Sequence, residues 1–200
     1  MKKITLVLMF LSVTLISNAQ SAKLENKWYS TADVDFVFID KYRYNYYIGD
    51  GGGRDDEVEP QGFLLKSFGA QYTFNYTFFS KLSVGALGGI QTLSEPRDFF
   101  MIKIGGVLKY FFVDRDNVYI YTQLARVISV DEKQFKHGTN GRLGIGLPVY
   151  RMDNLNINFN LFAEHTLLRL NGSDPIYGLE KEVPLDLVIS SFGVSFGIQF

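Results

Sequence analysis

The last stretch of the chain, Ser191 to Phe200, alternates without a break between apolar and uncharged, mostly small side chains. Phe192, Val194, Phe196, Ile198 and Phe200 share one side of an extended strand, and Ser191, Gly193, Ser195, Gly197 and Gln199 share the other. Period-two alternation predicts a strand with one apolar face. A strand in a soluble sheet usually carries Lys, Glu or Arg on its wet side. Here the second side is small and uncharged, as a narrow polar lumen requires when the first side meets lipid.

Seven earlier segments repeat the pattern. They run over about Trp28–Ile39, Phe63–Phe78, Leu82–Gln91, Phe100–Val113, Val118–Ser129, Gly141–Tyr150 and Leu155–Leu168. In the first, Ala32, Val34, Phe36 and Phe38 oppose Thr31, Asp33 and Asp35; in the seventh, Leu155, Ile157, Phe159, Leu161 and Ala163 oppose Asn156, Asn158, Asn160 and Glu164. Pro148 cannot donate to a ladder, so it marks a bulge or a weak point near the end of the sixth segment. Each segment reaches the ~9–11 residues that a tilted membrane strand needs.

The connections alternate in length. Residues 79–81, 114–117 and 151–154 are tight turns of turn-forming residues. Residues 40–62, 92–99, 130–140 and 169–186 are long and polar. Eight strands joined by three short turns and four long loops match a barrel with short periplasmic turns and long outer loops. Aromatics gather near the short-turn ends (Trp28, Tyr29, Tyr76 to Phe79, Tyr110 to Phe112, Tyr119, Tyr150 and Phe200) and are expected to form the periplasmic girdle.

Residues 1–19 read as a cleaved secretory signal: Lys2 and Lys3, an apolar run from Ile4 to Ile16, then Ser17-Asn18-Ala19 at the cleavage site. The expected mature domain is therefore 20–200. Of 20 basic residues, two lie in the signal; the remaining 18 face 21 acidic ones. A net charge near −3 argues against a nucleic-acid partner. The chain has no cysteine, which excludes disulfides and thiolate metal sites.

Hydrocarbon demands that every peptide group be paired internally, so a chain without a spanning helix must close its sheet. Eight strands leave an interior about wide enough for side chains to fill. The inward set holds three acids, Asp33, Asp35 and Glu164, and three bases, Lys103, Lys109 and Arg142. They are expected to form a lumen charge network that plugs and stiffens the barrel, with a proton or ion path as the other reading.

Two stretches invite chemistry. Gly49 to Glu59 offers Asp50, Asp55, Asp56, Glu57 and Glu59 as possible calcium ligands, but the spacing is not that of an EF-hand, and a solvated outer loop is expected. His165 lies beside Glu164 and Thr166 near the outer end of the seventh segment. A histidine there can act as a general base. Its neighbours on one strand point to opposite faces, so they cannot complete a triad. No catalytic, metal or cofactor residue is assigned, and no cofactor is expected; an enzymatic role is left open but not favoured.

The signal, the hairpin series and the terminal S-F-G-V-S-F-G-I-Q-F resemble those of small eight-stranded outer-membrane barrels of the OmpA/OmpX type and, more loosely, PorT-like barrel domains. The resemblance implies an all-β fold: a transmembrane, antiparallel, up-and-down barrel in the bacterial outer membrane, both termini periplasmic. It implies that Phe192, Phe196, Ile198 and Phe200 form a C-terminal signal for the barrel-assembly machinery. Outer-membrane lipid is the expected surrounding, with an unidentified partner at the outer loops. Family members serve as structural proteins, adhesins, small-solute pores and lipid A-modifying enzymes (deacylases or acyltransferases). A structural or loop-mediated binding role is expected, and the enzyme and pore readings stay as alternatives.

Overall fold

The computed structural model describes residues 27–49, 53–59, 65–79, 81–113, 118–131, 133–152 and 155–200. The signal segment 1–19, Asp50 and most of the short-turn residues lie outside them. Among the described residues no helix is long and apolar enough to cross a membrane, which says nothing of strands.

Nine strands follow in order: β1 (Trp28–Ile48), β2 (Gly53–Val58), β3 (Leu65–Phe79), β4 (Leu82–Leu93), β5 (Phe99–Phe111), β6 (Tyr119–Ser129), β7 (His137–Met152), β8 (Leu155–Arg169) and β9 (Glu182–Gln199). From β3 onward each strand pairs antiparallel with the next, β1 pairs with β3, and β1 pairs with β9 to close the wall. Eight strands make a closed barrel; β2 is an addition. Closure removes the free edge that an open sheet would leave unpaired. The seam is long, from Thr31 opposite Gln199 up to Ile48 opposite Glu182. Phe200 exchanges backbone hydrogen bonds with Ser30, at 2.8 and 3.0 Å.

The side-chain alternation is inverted relative to a soluble barrel. Thr31, Asp33, Asp35, Gln71, Lys103, Lys109, Gln123, Arg142, Asn160, Glu164 and Ser195 are buried inside. Val34, Phe68, Phe74, Ile90, Ile104, Leu124, Leu143 and Phe196 are exposed outside, Leu124 at 72 %. A lipocalin-like barrel would show the reverse.

Inward glycines make room for rings on the neighbouring strand. Gly144 and Gly146 on β7 lie opposite Tyr121 and Tyr119 of β6. A Cβ at Gly146 would strike the Tyr119 ring, and one at Gly193 would strike Phe162. These glycines serve close packing.

Three expectations need correction. The acidic stretch is not a loop throughout: Gly53–Val58 is β2, paired with Tyr42–Tyr47 above the point where β3 leaves β1. Opposed charges hold it there. Arg43 meets Glu57 at 3.1 Å and Asp55 at 3.8 Å, and Lys41 meets Glu57 at 3.1 Å. Strands also run further into the supposed loops than expected, with β1 reaching Ile48, β7 starting at His137 and β9 at Glu182. Finally, Tyr29, Phe111 and Tyr119 do not join an outer girdle. They share the parity of the lumen positions and are 4 %, 0 % and 4 % exposed, packed inside. The Pro148 bulge is present, as a register shift between Pro148 and Tyr150.

Candidate functional site

The interior is the most organised polar region of the molecule. Its lower level sits near the short-turn end. There the Asp33 carboxylate accepts from the Asn160 amide at 3.1 Å and the Thr31 hydroxyl at 3.2 Å. Thr31 and Thr73 share a hydroxyl contact at 2.6 Å. Lys109 donates to Thr31 at 3.4 Å and lies 5.4 and 5.6 Å from the ring centres of Tyr29 and Tyr119. Aromatic faces thus share the task of stabilising its charge. Tyr29 donates to Ser83 at 2.9 Å, and Tyr119 to Asn160 at 2.8 Å.

The next level holds four charges. Arg142 reaches Glu164 at 2.6 Å and Asp35 at 2.8 Å, and Lys103 reaches Glu164 at 3.0 Å. Gln91 joins through Glu164 at 3.2 Å. The Arg142 guanidinium also stacks 3.8 Å above the Phe162 ring. Two acids and two bases balance, which offsets part of the cost of removing them from water. The structure therefore brings Asp35, Lys103, Arg142 and Glu164 together. Asp33 and Lys109 sit one level below, held through hydroxyls, an amide and rings.

Above the charges the interior turns apolar. Ile39, Met101, Val127, Phe135, Leu168, Leu170, Leu187 and Ile189 form one buried cluster with Tyr44 and Tyr46. The Tyr44 hydroxyl donates to Glu182 at 2.6 Å. The backbone amides of Ile176, Tyr177 and Leu179 donate to the same carboxylate at 3.0, 3.2 and 2.9 Å. Burial alone would raise the pKa of Glu182, but these four donors outweigh it and hold the carboxyl below the usual glutamate range. Tyr177 stands edge-on to Tyr44 and Tyr46. The cluster and the Glu182 clasp form a lid over the charged level.

The outer surface bears the remaining candidates. Asp55 and Glu57 are engaged by Lys41 and Arg43, and Asp56 accepts from the Tyr46 hydroxyl at 2.8 Å. Among the described residues no group of three or more acidic or histidine side chains is gathered for a metal. His165 points outward, and its Nδ1 lies 3.2 Å from the Ser190 hydroxyl on β9. The partner is across the ladder, not along the strand, so within-strand spacing could not reveal it. Phe192, Phe196, Ile198 and Phe200 lie on the outward side of β9, apart from the lumen network.

No known family model matches the sequence, and no curated protein matches it significantly. Solved structures of similar fold include the outer membrane protein OprG from Pseudomonas aeruginosa, at 12 % identity over 86 % of this chain and 95 % of that one, with a TM-score of 0.44. Neisserial surface protein A shares 12 % identity over 85 % and 96 % of the two chains, TM-score 0.41. Ail, the attachment invasion locus protein of Yersinia pestis, shares 12 % over 86 % and 99 %, TM-score 0.32. The fold that the strand pairing gives is a closed eight-stranded antiparallel β-barrel with one added strand.

Proposed function

We propose that the chain is an integral outer-membrane protein with a plugged lumen, both termini periplasmic, which acts structurally or through its outer strands and loops. One observation carries this reading: below the lid, charged and polar side chains are buried inside the wall among a few rings, while large apolar ones cover the outside. A soluble protein rarely leaves such an apolar belt in water. On β1 the belt runs from Trp28 to Phe38 and ends at Asp40, close to the ~9–11 residues of a tilted spanning strand. The strand ends that short connections join and the C-terminus lie at one end of the wall, and β2 and the lid at the other, which favours a periplasmic face for the first. Outward Phe192, Phe196, Ile198 and Phe200 are the surface that the barrel-assembly machinery would meet.

A plugged lumen is favoured over a small-solute pore. The cavity beside Asp33, Lys109 and Tyr119 measures about 10 Å³, no more than about one water-sized sphere. The lid closes the other level. Fractionation with heat-modifiable gel mobility tests the location: extraction in plain buffer as a monomer would end this reading. Steady single-channel steps in a planar bilayer would end the plug and favour the pore.

The Ser190–His165 contact favours a second reading, a lipid-modifying enzyme. A hydroxyl within reach of an imidazole at the lipid-facing rim has the nucleophile–base spacing of covalent catalysis. Asp40 lies beyond Ser190 in the ladder, not beyond His165, so no carboxylate is placed to orient the imidazole. If outer-membrane lipid composition is unchanged when wild type is replaced by His165→Ala, the enzyme reading is removed.

A further inference from the structure

The apolar belt is not smooth. On the outward side of β6 to β9, Gly141 and Ala163 form the floor of a groove of about 600 Å³. Leu124, Leu143 and Phe192 form its walls, and His165, Ser190 and Asp40 line its polar end. Gly141 gives Leu124 no neighbouring side chain to lie on, and Leu124 is the most exposed large apolar residue described.

The polar end coincides with the top of the belt. On β1 the outward side passes from Phe38 to Asp40 and Arg43; on β6 it passes from Leu124 to Arg126; on β8, from Ala163 to His165 and Arg169. A register shift between Ile39 and Lys41 leaves Asp40 out of the β1–β9 ladder, beside Ser190. Arg126 is exposed and makes no hydrogen bond or ion pair with another described residue. Its ladder partners are Ile104 on β5 and Thr139 on β7, and Gly141 lies one step lower on β7.

We propose that this groove seats one acyl chain of an outer-leaflet lipid whose head group carries a phosphate and hydroxyls. The proposal rests on the membrane-spanning reading. A gap in a lipid-facing wall loses dispersion contact unless something fills it, and at this depth the available filler is an acyl chain. The head of that lipid would stand at the boundary. There Arg126 supplies a guanidinium, which suits a phosphate oxygen. His165 and Ser190 supply an imidazole and a hydroxyl, and Asp40 accepts from a head-group hydroxyl. Arg126 stands one ladder step above Leu124 and Gly141 with no described carboxylate partner, and Asp40 lies at the other end of the groove, so the cation and the acid meet different parts of one head group.

The full chain in phosphatidylcholine nanodiscs, doped with phosphatidylglycerol carrying a diazirine on one acyl chain, tests this. Photolabel concentrates on Leu124, Leu143, Ala163 and Phe192. Ala163→Trp fills the floor and removes most of that label, whereas Ile90→Trp, on the outward side of β4, leaves it. Heat-modifiable mobility checks that each variant is folded, and Ala163→Leu replaces Ala163→Trp if it is not. Arg126→Gln lowers the preference for the phosphatidylglycerol probe over a matching phosphatidylcholine probe by about fivefold, the effect of about 1 kcal/mol per basic residue near an anionic surface. Label spread evenly over the belt, Phe74 and Ile104 included, overturns the proposal and leaves the membrane reading intact. Loss of label from this patch together with disulfide-linked dimers of a Leu143→Cys variant overturns it in favour of a second copy. A chain that never enters the nanodisc defeats the membrane reading itself.

Discussion

The lower interior of the barrel is charged and polar with rings between, the upper interior is apolar, and the outer surface changes in the opposite sense. Along β1 the inward residues below are Thr31, Asp33 and Asp35, and those above are Ile39, Tyr44 and Tyr46. The outward residues change in the other sense, from Val34, Phe36 and Phe38 to Asp40, Arg43 and Asn45. β8 turns at a similar level, with Asn160 and Glu164 inside below and Leu168 inside above. Lipid outside allows polar residues within; water outside requires an apolar core. One strand can therefore be inside-out over part of its length and ordinary over the rest. The switch level runs through the Arg142 network, which sits where the lid meets the lumen.

The two levels should also fail differently. The largest effect is expected from Arg142→Leu. It leaves Asp35 without its cation and Glu164 with Lys103 alone, and stranding a buried charge costs about 3–5 kcal/mol. Unfolding from lipid in urea, followed by heat-modifiable mobility, reads this loss. Asp35→Leu added to Arg142→Leu removes the stranded acid and keeps the Lys103–Glu164 pair. The double variant should recover a large part of the stability. A double variant as weak as the single one would show that packing against Phe162, not charge, dominates there.

Leu187→Ala probes the upper level. Leu187 is fully buried in the lid cluster, so the cavity costs about 2–5 kcal/mol. The cost should fall on the lid. Hydrogen exchange should quicken at Ile176 to Glu182 while the membrane-level strands stay protected. Equal loss of protection at both levels would mean that lid and lumen unfold as one unit.

The contrast between the levels was only half visible in the sequence. In the membrane segment alternation is strict, because one misplaced charge would face hydrocarbon. Parity alone therefore put Asp33, Asp35, Lys103, Lys109, Arg142 and Glu164 on the inside. The same parity already covers Tyr29, Phe111 and Tyr119; reading their aromatic type in place of their position sent them outward. Above the membrane the signal weakens. β2 has no apolar face and looks like a loop, since its strand character comes from cross-strand pairs such as Arg43 with Glu57. The Ser190–His165 contact and the groove over Gly141 and Ala163 depend on register between strands, and no spacing along one strand encodes that.

The smallest effect should come from pH, and it separates the levels by chemistry. Glu182 clasps the lid through Tyr44 and three backbone amides, and its folded pKa is depressed. A depressed carboxyl contributes stability that is present above its unfolded value of about 4.3. That stability is lost as pH falls through the lower folded value. Between neutral pH and about 5 the lid should therefore be insensitive, and its amides at Ile176, Tyr177 and Leu179 should exchange faster only on acidification below that range. Glu182→Gln keeps the shape but turns one accepting oxygen into a donor, so with Oε1 kept it loses the Leu179 bond and weakens the other three. It should quicken those amides at neutral pH and flatten their acid response. If the wild-type amides respond to acid no more than those of the variant, the clasp is held by Tyr44 and Tyr177 packing and the carboxylate charge adds nothing to it.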